Sequence, residues 1–248
     1  MTERSTAVPP GERSRSYREA YARLVAAQKT AARGAPAYSR YVNRRLGRFL
    51  AAWAYSRGLS PNQVTGLSAL ATFTGIALLA LLPQTLWLGA VVAALLVLGY
   101  ALDSADGQVA RLSGTSSQAG EWLDHVVDST KVVTLPLALL VGLARFGELG
   151  DGWLLIPLLH AVVGTVLFFA MILTEQMRRA RGTTSVAEPG AAGRLRALLL
   201  VPTDYGVLCV SFLLLGFPLV FLSVYGLLVV CTTLFLVAAL VKWFRELA

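Results

Sequence analysis

Apolar residues gather into six runs along the chain, at approximately 62–82, 86–106, 118–143, 153–173, 198–215 and 219–241. Each is close to the ~20 helical residues that cross a hydrocarbon layer ~30 Å thick. The links between the runs alternate in charge. Pro83-Gln84, Gly147 to Gly152 and Gly216 to Pro218 have Arg145 as their only neighbouring base, whereas the other links hold Arg111 and the group Arg178, Arg179, Arg181, Arg194 and Arg196. Cytoplasmic loops of membrane proteins carry the excess of Lys and Arg. The pattern therefore predicts an all-α integral membrane protein with six transmembrane helices and both termini cytoplasmic. Trp87 and Trp153 then fall at the outer interface, and Trp53, Trp122 and Trp243 at the inner one.

Ahead of the first run the pattern changes. Residues 1–16 are polar, hold two prolines and show no period, which predicts disorder. From about Tyr17 to Lys29, and again from Tyr38 to Ser56, apolar residues recur at helical spacing among arginines. In the second stretch Tyr41, Leu46, Phe49, Leu50 and Trp53 can face lipid while Arg40, Arg44, Arg45 and Arg48 reach for headgroups, an interfacial amphipathic helix. The expected organisation is a basic arm over 1–37, the interfacial helix over 38–61, a six-helix transmembrane domain over 62–241 and a cytoplasmic tail over 242–248.

Composition supports the membrane assignment, since 56% of residues are apolar and only 15% charged. Cys209 and Cys231 lie inside apolar runs with no Cys or His at ligand spacing, which excludes a disulfide scaffold or a zinc site. The net charge of +8 is concentrated in one place: residues 1–61 hold twelve Lys/Arg against Glu3, Glu12 and Glu19. The arm has no nucleic-acid-binding module and leads straight into the spans, so its partner is expected to be anionic lipid, at about 1 kcal/mol per basic side chain near the surface. The first sustained apolar run, beginning near Gln63, comes too late for a cleavable signal peptide.

Against this background one stretch is anomalous. Asp103, Asp106, Glu121, Asp124 and Asp128 crowd the inner ends of the second and third runs. An Asp at mid-membrane costs roughly 2.5–3.5 kcal/mol even on the lenient scale, so four uncompensated ones could cost on the order of 10 kcal/mol. At about 100° per residue, Asp106, Gly107 and Ala110 lie within about 60° of Asp103, while Gly120, Asp124 and Asp128 follow one another one turn apart. Each helix thus carries two carboxylates beside small side chains on one face. Hard oxygen ligands converging from two helices suit Mg²⁺ or Mn²⁺, and four could hold two ions ~3.5–4 Å apart to clamp a phosphoryl transfer. Gly107, Ala110 and Gly120 leave room for a nucleotide or pyrophosphate near the backbone. Glycines at helix crossings also serve close packing, but that alone does not explain their joint spacing with the carboxylates.

Written out, Asp103-x2-Asp106-Gly107-x2-Ala110-Arg111-x8-Gly120-x3-Asp124-x3-Asp128 resembles the signature of the CDP-alcohol phosphatidyltransferase family at every fixed position. The segment GLSPNQVT at 58–65 is similar to that family's Gly-Leu-Thr-Pro-Asn entrance to the first span, with Ser60 for Thr, and the likeness extends over roughly 40–241. The resemblance implies a phospholipid-synthesising transferase that moves a phosphatidyl group from a CDP-linked lipid, with CDP-diacylglycerol expected, to the hydroxyl of a polar alcohol and releases CMP. It implies that Asp103, Asp106, Asp124 and Asp128 ligand the metals, that Asp128 is also the general base, and that Gly107, Ala110, Arg111 and Gly120 line the CDP pocket. It further implies a homodimer in the cell membrane with its active site on the cytoplasmic side.

Weaker signals surround this pattern. Lys131, one turn beyond Asp128, reads first as a counter-ion of the acidic cluster and second as an acceptor contact. Arg178, Arg179, Arg194 and Asp204 lie in or near the link before the fifth run and are candidates to bind the acceptor, since Arg recognises phosphate bidentately and an acid near a span needs a partner. Glu121 and His125 read as neighbours of the motif. The link lacks the Glu-Arg-Pro-rich loop associated with inositol-phosphate-using members, so the acceptor stays open. An aromatic prenyltransferase would need a second Asp-rich motif, and a cation translocator would need ionisable groups at several depths, whereas these carboxylates all fall within 103–128.

Overall fold

A computed structural model of the protein describes residues 16–31, 36–182 and 200–248, and every regular element among them is helical. Helix α1 spans Tyr17–Ala31, and a π-turn at Ser39–Asn43 runs into α2, Arg44–Ser56. Then follow α3, Pro61–Leu81; α4, Leu86–Ser113; α5, Gln118–Phe146; and α6, Leu155–Ala180, entered through a 3-10 turn at Asp151–Leu154. Helix α7, Tyr205–Ser211, lies between 3-10 turns at Val201–Thr203 and Phe212–Leu214, and α8 covers Pro218–Leu247.

The helix starts that matter for function are written in the sequence. Ser60 Oγ accepts from the Gln63 amide at 3.3 Å while Gln63 Oε1 accepts from the Ser60 amide at 2.9 Å, and Pro61 takes the first helical position, where no amide is needed. Helix α4 ends on Gly114, whose φ of 70° is the left-handed conformation that glycine adopts without strain. Three residues later Ser117 Oγ accepts from the Gly120 amide at 3.1 Å and starts α5. This tight reversal sets the inner ends of α4 and α5 side by side. The two helices nevertheless barely touch, because α3 packs closely against both and holds them apart.

Among the described residues five helices, α3, α4, α5, α6 with its lead-in turn, and α8, are long and apolar enough to cross a membrane. The described part of the sixth predicted run is shorter: Tyr205–Leu214 is an apolar helical stretch about 15 Å long at 1.5 Å per residue. Asp204 caps its start, its Oδ1 accepting from the Gly206 amide at 3.0 Å, and Gly216 and Phe217 end it ahead of Pro218. Helix α8 runs on through the segment expected as a tail. The disorder expected over 1–16 falls, apart from Ser16, outside the described residues.

The N-terminal helices are strapped to the bundle. Asp204 Oδ2 accepts from the Ser39 amide at 2.9 Å, Asn43 Nδ2 donates to the Tyr100 carbonyl at 3.1 Å, and Arg23 donates to the Leu112 carbonyl at 3.2 Å. Helix α2 buries Gly47, Ala51 and Ala54 and leaves Leu46, Phe49 and Trp53 exposed, as the π-turn before it leaves Tyr41. Leu50 departs from the lipid-facing expectation: it packs against the cluster of Leu24, Ala51, Leu102 and Val109.

Helices in lipid attract one another mainly through close packing, which small residues allow. At Gly99 a Cβ would collide with the Thr72 hydroxyl and lie 3.2 Å from the Ser68 carbonyl, and Ser68 Oγ donates to the Gly99 carbonyl at 2.8 Å. At Gly66 a Cβ would meet nothing within 4 Å. Gly99→Leu is therefore expected to destabilise the protein by about 1–3 kcal/mol, the usual cost of overpacking, and Gly66→Leu to leave it unchanged. Thermal unfolding in detergent, followed by circular dichroism, checks both; equal midpoints for the two variants would contradict the tight α3–α4 crossing.

Candidate active site

The carboxylates of the motif are shared between the C-terminal half of α4 and the N-terminal half of α5. Asp103 and Asp106 come from α4, Asp124 and Asp128 from α5. Asp103, Asp124 and Asp128 each offer a ligand oxygen, and these atoms all lie within 4.8 Å of one another. Asp106 points elsewhere: it is buried, and its Oδ2 accepts from Thr65 Oγ1 of α3 at 2.6 Å.

Lys131 bridges the gap between the two helices. Its Nζ lies 2.7 Å from Asp103 Oδ1 and 2.5 Å from Asp128 Oδ1, and its side chain is only 6% exposed. A buried ammonium needs such partners. One lysine cannot balance the group, because Asp103, Asp124 and Asp128 bring three charges and repel one another by several kcal/mol per pair at an effective dielectric of ~20. A half-buried set of hard oxygens with excess negative charge is what Mg²⁺ or Mn²⁺ binds.

The small residues border open space. A Cβ on Gly107 would meet only Arg111 Nη1, at 3.5 Å, and one on Gly120 would meet Ser117 Oγ at 3.2 Å and Asn62 Oδ1 at 3.4 Å. Neither glycine is used for helix packing as Gly99 is. Alongside lies a polar cavity of about 350 Å³ lined by Tyr55, Asn62, Ser113, Thr115 and Ser117. Ala110 is half-buried and Arg111 exposed on the same stretch of α4. Arg44, on α2, is near enough to Arg111 that burial and then that like charge push its guanidinium below its ordinary pKa.

The remaining candidates divide. Arg178 is ion-paired with Glu246 on α8, and Arg179 lies 2.6 Å from Glu121 on α5, so both tie the inner end of α6 to its neighbours. His125 lies 3.8 Å from both Glu121 and Asp124. Both oxygens of Asp204 are taken by the backbone amides of Ser39 and Gly206. Arg194 lies outside the described residues.

Thr65, Asn62 and Arg44 are site residues that spacing within one helix could not reveal. The first two stand in the GLSPNQVT segment, but their place opposite Asp106 and Gly120 depends on how α3 crosses α4 and α5. Arg44 reads from sequence as a headgroup contact, and only the docking of α2 on α4 brings it to Arg111.

The family model for CDP-alcohol phosphatidyltransferase matches residues 59–244. No curated protein matches the chain.

Because Lys131 is the ammonium shared by Asp103 and Asp128, Lys131→Met is expected to lower stability by ~2–4 kcal/mol in chelator, the scale for stranding a buried charge. Millimolar Mn²⁺ is expected to recover more of that loss than it adds to the parent. Thermal unfolding with and without Mn²⁺ tests this, and an unaltered midpoint in chelator would show that Lys131 is not the compensating charge.

Proposed function

The chain belongs to the CDP-alcohol phosphatidyltransferase family, and on that footing we propose that the carboxylates between α4 and α5 transfer a phosphatidyl group from CDP-diacylglycerol to an alcohol at the cytoplasmic face of the membrane. Membership makes it a transferase of phospholipid synthesis, with a CDP-alcohol lipid as substrate and an alcohol as acceptor. The observation that carries the proposal is the convergence of Asp103, Asp124 and Asp128 within 4.8 Å.

Divalent cations, which the family uses, would be held as two Mg²⁺ or Mn²⁺ ions by these residues with Asp106 and would neutralise the diphosphate oxygens. Asp106 can contribute the oxygen that Thr65 does not hold. Gly107, Ala110 and Gly120 give the CDP group room, Asn62 and the hydroxyls beside it supply hydrogen-bond partners, and Arg111 with Arg44 flanks the phosphates. This arrangement binds and orients the donor, and it aims positive charge where negative charge accumulates as CMP leaves.

Asp128 takes the acceptor proton. As it does so the alcohol oxygen attacks the lipid-bearing phosphorus, the bond from that phosphorus to the bridging diphosphate oxygen breaks, and CMP departs with the electron pair. Lys131 holds Asp128 in place and is the best placed of the residues expected to meet the acceptor. Arg178, Arg179 and Asp204 are already engaged by protein partners, which leaves them a supporting part.

Chelation is expected to abolish CMP release from CDP-diacylglycerol, and Asp103→Asn, Asp106→Asn or Asp124→Asn to weaken metal or CDP-lipid binding. Gly107→Leu and Gly120→Leu should block CDP-lipid binding in protein that still folds. Asp128→Asn should keep CDP-lipid yet lose turnover by ~10²-fold or more, the scale of general-base catalysis. Calorimetric binding and CMP release on the same preparations separate these effects. Near-parental turnover by Asp128→Asn would remove the base assignment.

A further inference from the structure

A second cavity, of about 480 Å³, lies between α5, α6, α7 and α8. Its size is that of a ligand site rather than a packing defect. Its walls are largely apolar, with Val132, Leu135, Phe168, Leu208 and Val229 among them. It adjoins the carboxylates: Tyr100 in its wall is one turn of α4 from Asp103, and Val132 is one turn of α5 from Asp128. Tyr205 belongs to both regions. It lines the cavity, its ring meets that of Tyr100 edge-on at 5.1 Å, and its phenolic oxygen is buried with no hydrogen-bond partner among the described residues. Deeper in the wall stands His160, whose Nδ1 is 2.5 Å from Tyr225 Oη.

The cavity beside Asn62 is lined from the α2–α3 and α4–α5 links, whereas the apolar one is lined from α5 to α8, and no residue lines both. Phosphoryl transfer needs the attacking and leaving oxygens roughly in line, on opposite sides of the phosphorus. With the CDP group on the glycine side, the acceptor must come from the other. We infer that the alcohol acceptor is an amphiphile whose apolar body occupies the cavity between α5, α6, α7 and α8 and whose hydroxyl meets Asp128 beside Tyr205. This rests on the transferase reading and departs from the polar alcohol expected from sequence. A small, highly polar acceptor would leave the apolar walls unmatched and would lose its hydration without replacement partners.

Thr232 lines the cavity, and its hydroxyl is bonded only within its own helix, to the Leu228 carbonyl at 2.8 Å, so Thr232→Phe fills the space while removing one local bond. Met171→Trp does the same from α6, at a position already 46% exposed. Purified protein in mixed micelles with CDP-diacylglycerol and Mn²⁺ would be given glycerol, glycerol 3-phosphate, serine and inositol on one side, and 1-octanol, monoacylglycerol and diacylglycerol on the other. CMP release is expected at least tenfold faster with an amphiphilic alcohol, and each variant is expected to reduce that rate about tenfold with CDP-diacylglycerol affinity kept. Turnover confined to the small polar alcohols and unaltered in both variants would overturn the inference while leaving the transferase reading intact. So would variants that bind CDP normally but CDP-diacylglycerol poorly, since the cavity would then hold the donor's chain. Absence of CMP release with every alcohol, from protein that binds CDP-diacylglycerol, would instead bring down the transferase reading itself.

Discussion

Like charges held a few ångströms apart inside an apolar protein are the constraint around which this molecule is arranged. Asp103, Asp124 and Asp128 approach within 4.8 Å at a level where water is scarce, and Lys131 is the protein's own answer to their repulsion. Its position follows from helix geometry. One turn beyond Asp128 on α5, its chain can lie along the apolar face and still put the ammonium between carboxylates of both helices. Because a single positive charge meets several negative ones, the cluster is left incompletely balanced. It is therefore tied together at rest and has residual affinity for further positive charge.

Such a cluster needs helices that stay apart, and the frame supplies this. Helix α3 packs against α4 and α5 where these barely touch each other. Its closeness to α4 depends on Gly99, whereas a Cβ on Gly107 would meet only the end of the Arg111 side chain and one on Gly120 only the side chains of Ser117 and Asn62. The same residue type thus does different things on one helix: Gly99 brings backbones together, and Gly107, about two turns on, keeps side chains out of a space. The strap formed by α1 and α2 finishes the frame from outside, with the amide of Ser39 on Asp204 and the side chain of Asn43 on the Tyr100 carbonyl. That use of Asp204 explains an acid at the edge of an apolar run without giving it a ligand.

How much of this could be read from the chain depends on whether an interaction lies within one helix or between two. The carboxylate faces and the apolar spans are local patterns at helical period, and they were legible. Lys131 was legible as a counter-ion because i to i+3 proximity to Asp128 is fixed by the helix, but its bond to Asp103 requires the α4–α5 approach. Asp106 was read with the other three by spacing, but its hydrogen bond from Thr65 depends on the crossing of α3 and could not be read. Leu50 was placed on the lipid face by its position on the α2 wheel, yet docking against α1 and α4 covers that edge of the helix. The run at 198–215 has the length of a span in hydropathy, but Asp204 supplies a cap inside it, and the described helix is short.

The placement of the carboxylates at helix ends also decides what kind of substrate the protein can serve. At mid-membrane each would cost several kcal/mol and could be reached only from lipid; in a cytoplasmic loop each would be solvated and weakly oriented. On α4 and α5 Asp103, Asp124 and Asp128 are half-buried and held within 4.8 Å of one another, between those two extremes. A lipid carrying a diphosphate on its headgroup can present its phosphates there while its chains remain in the bilayer, and a water-soluble nucleotide can depart to the aqueous side without crossing apolar space. The half-burial of the acidic cluster, as much as its composition, suits a transferase whose substrate is a lipid and whose leaving group is a nucleotide.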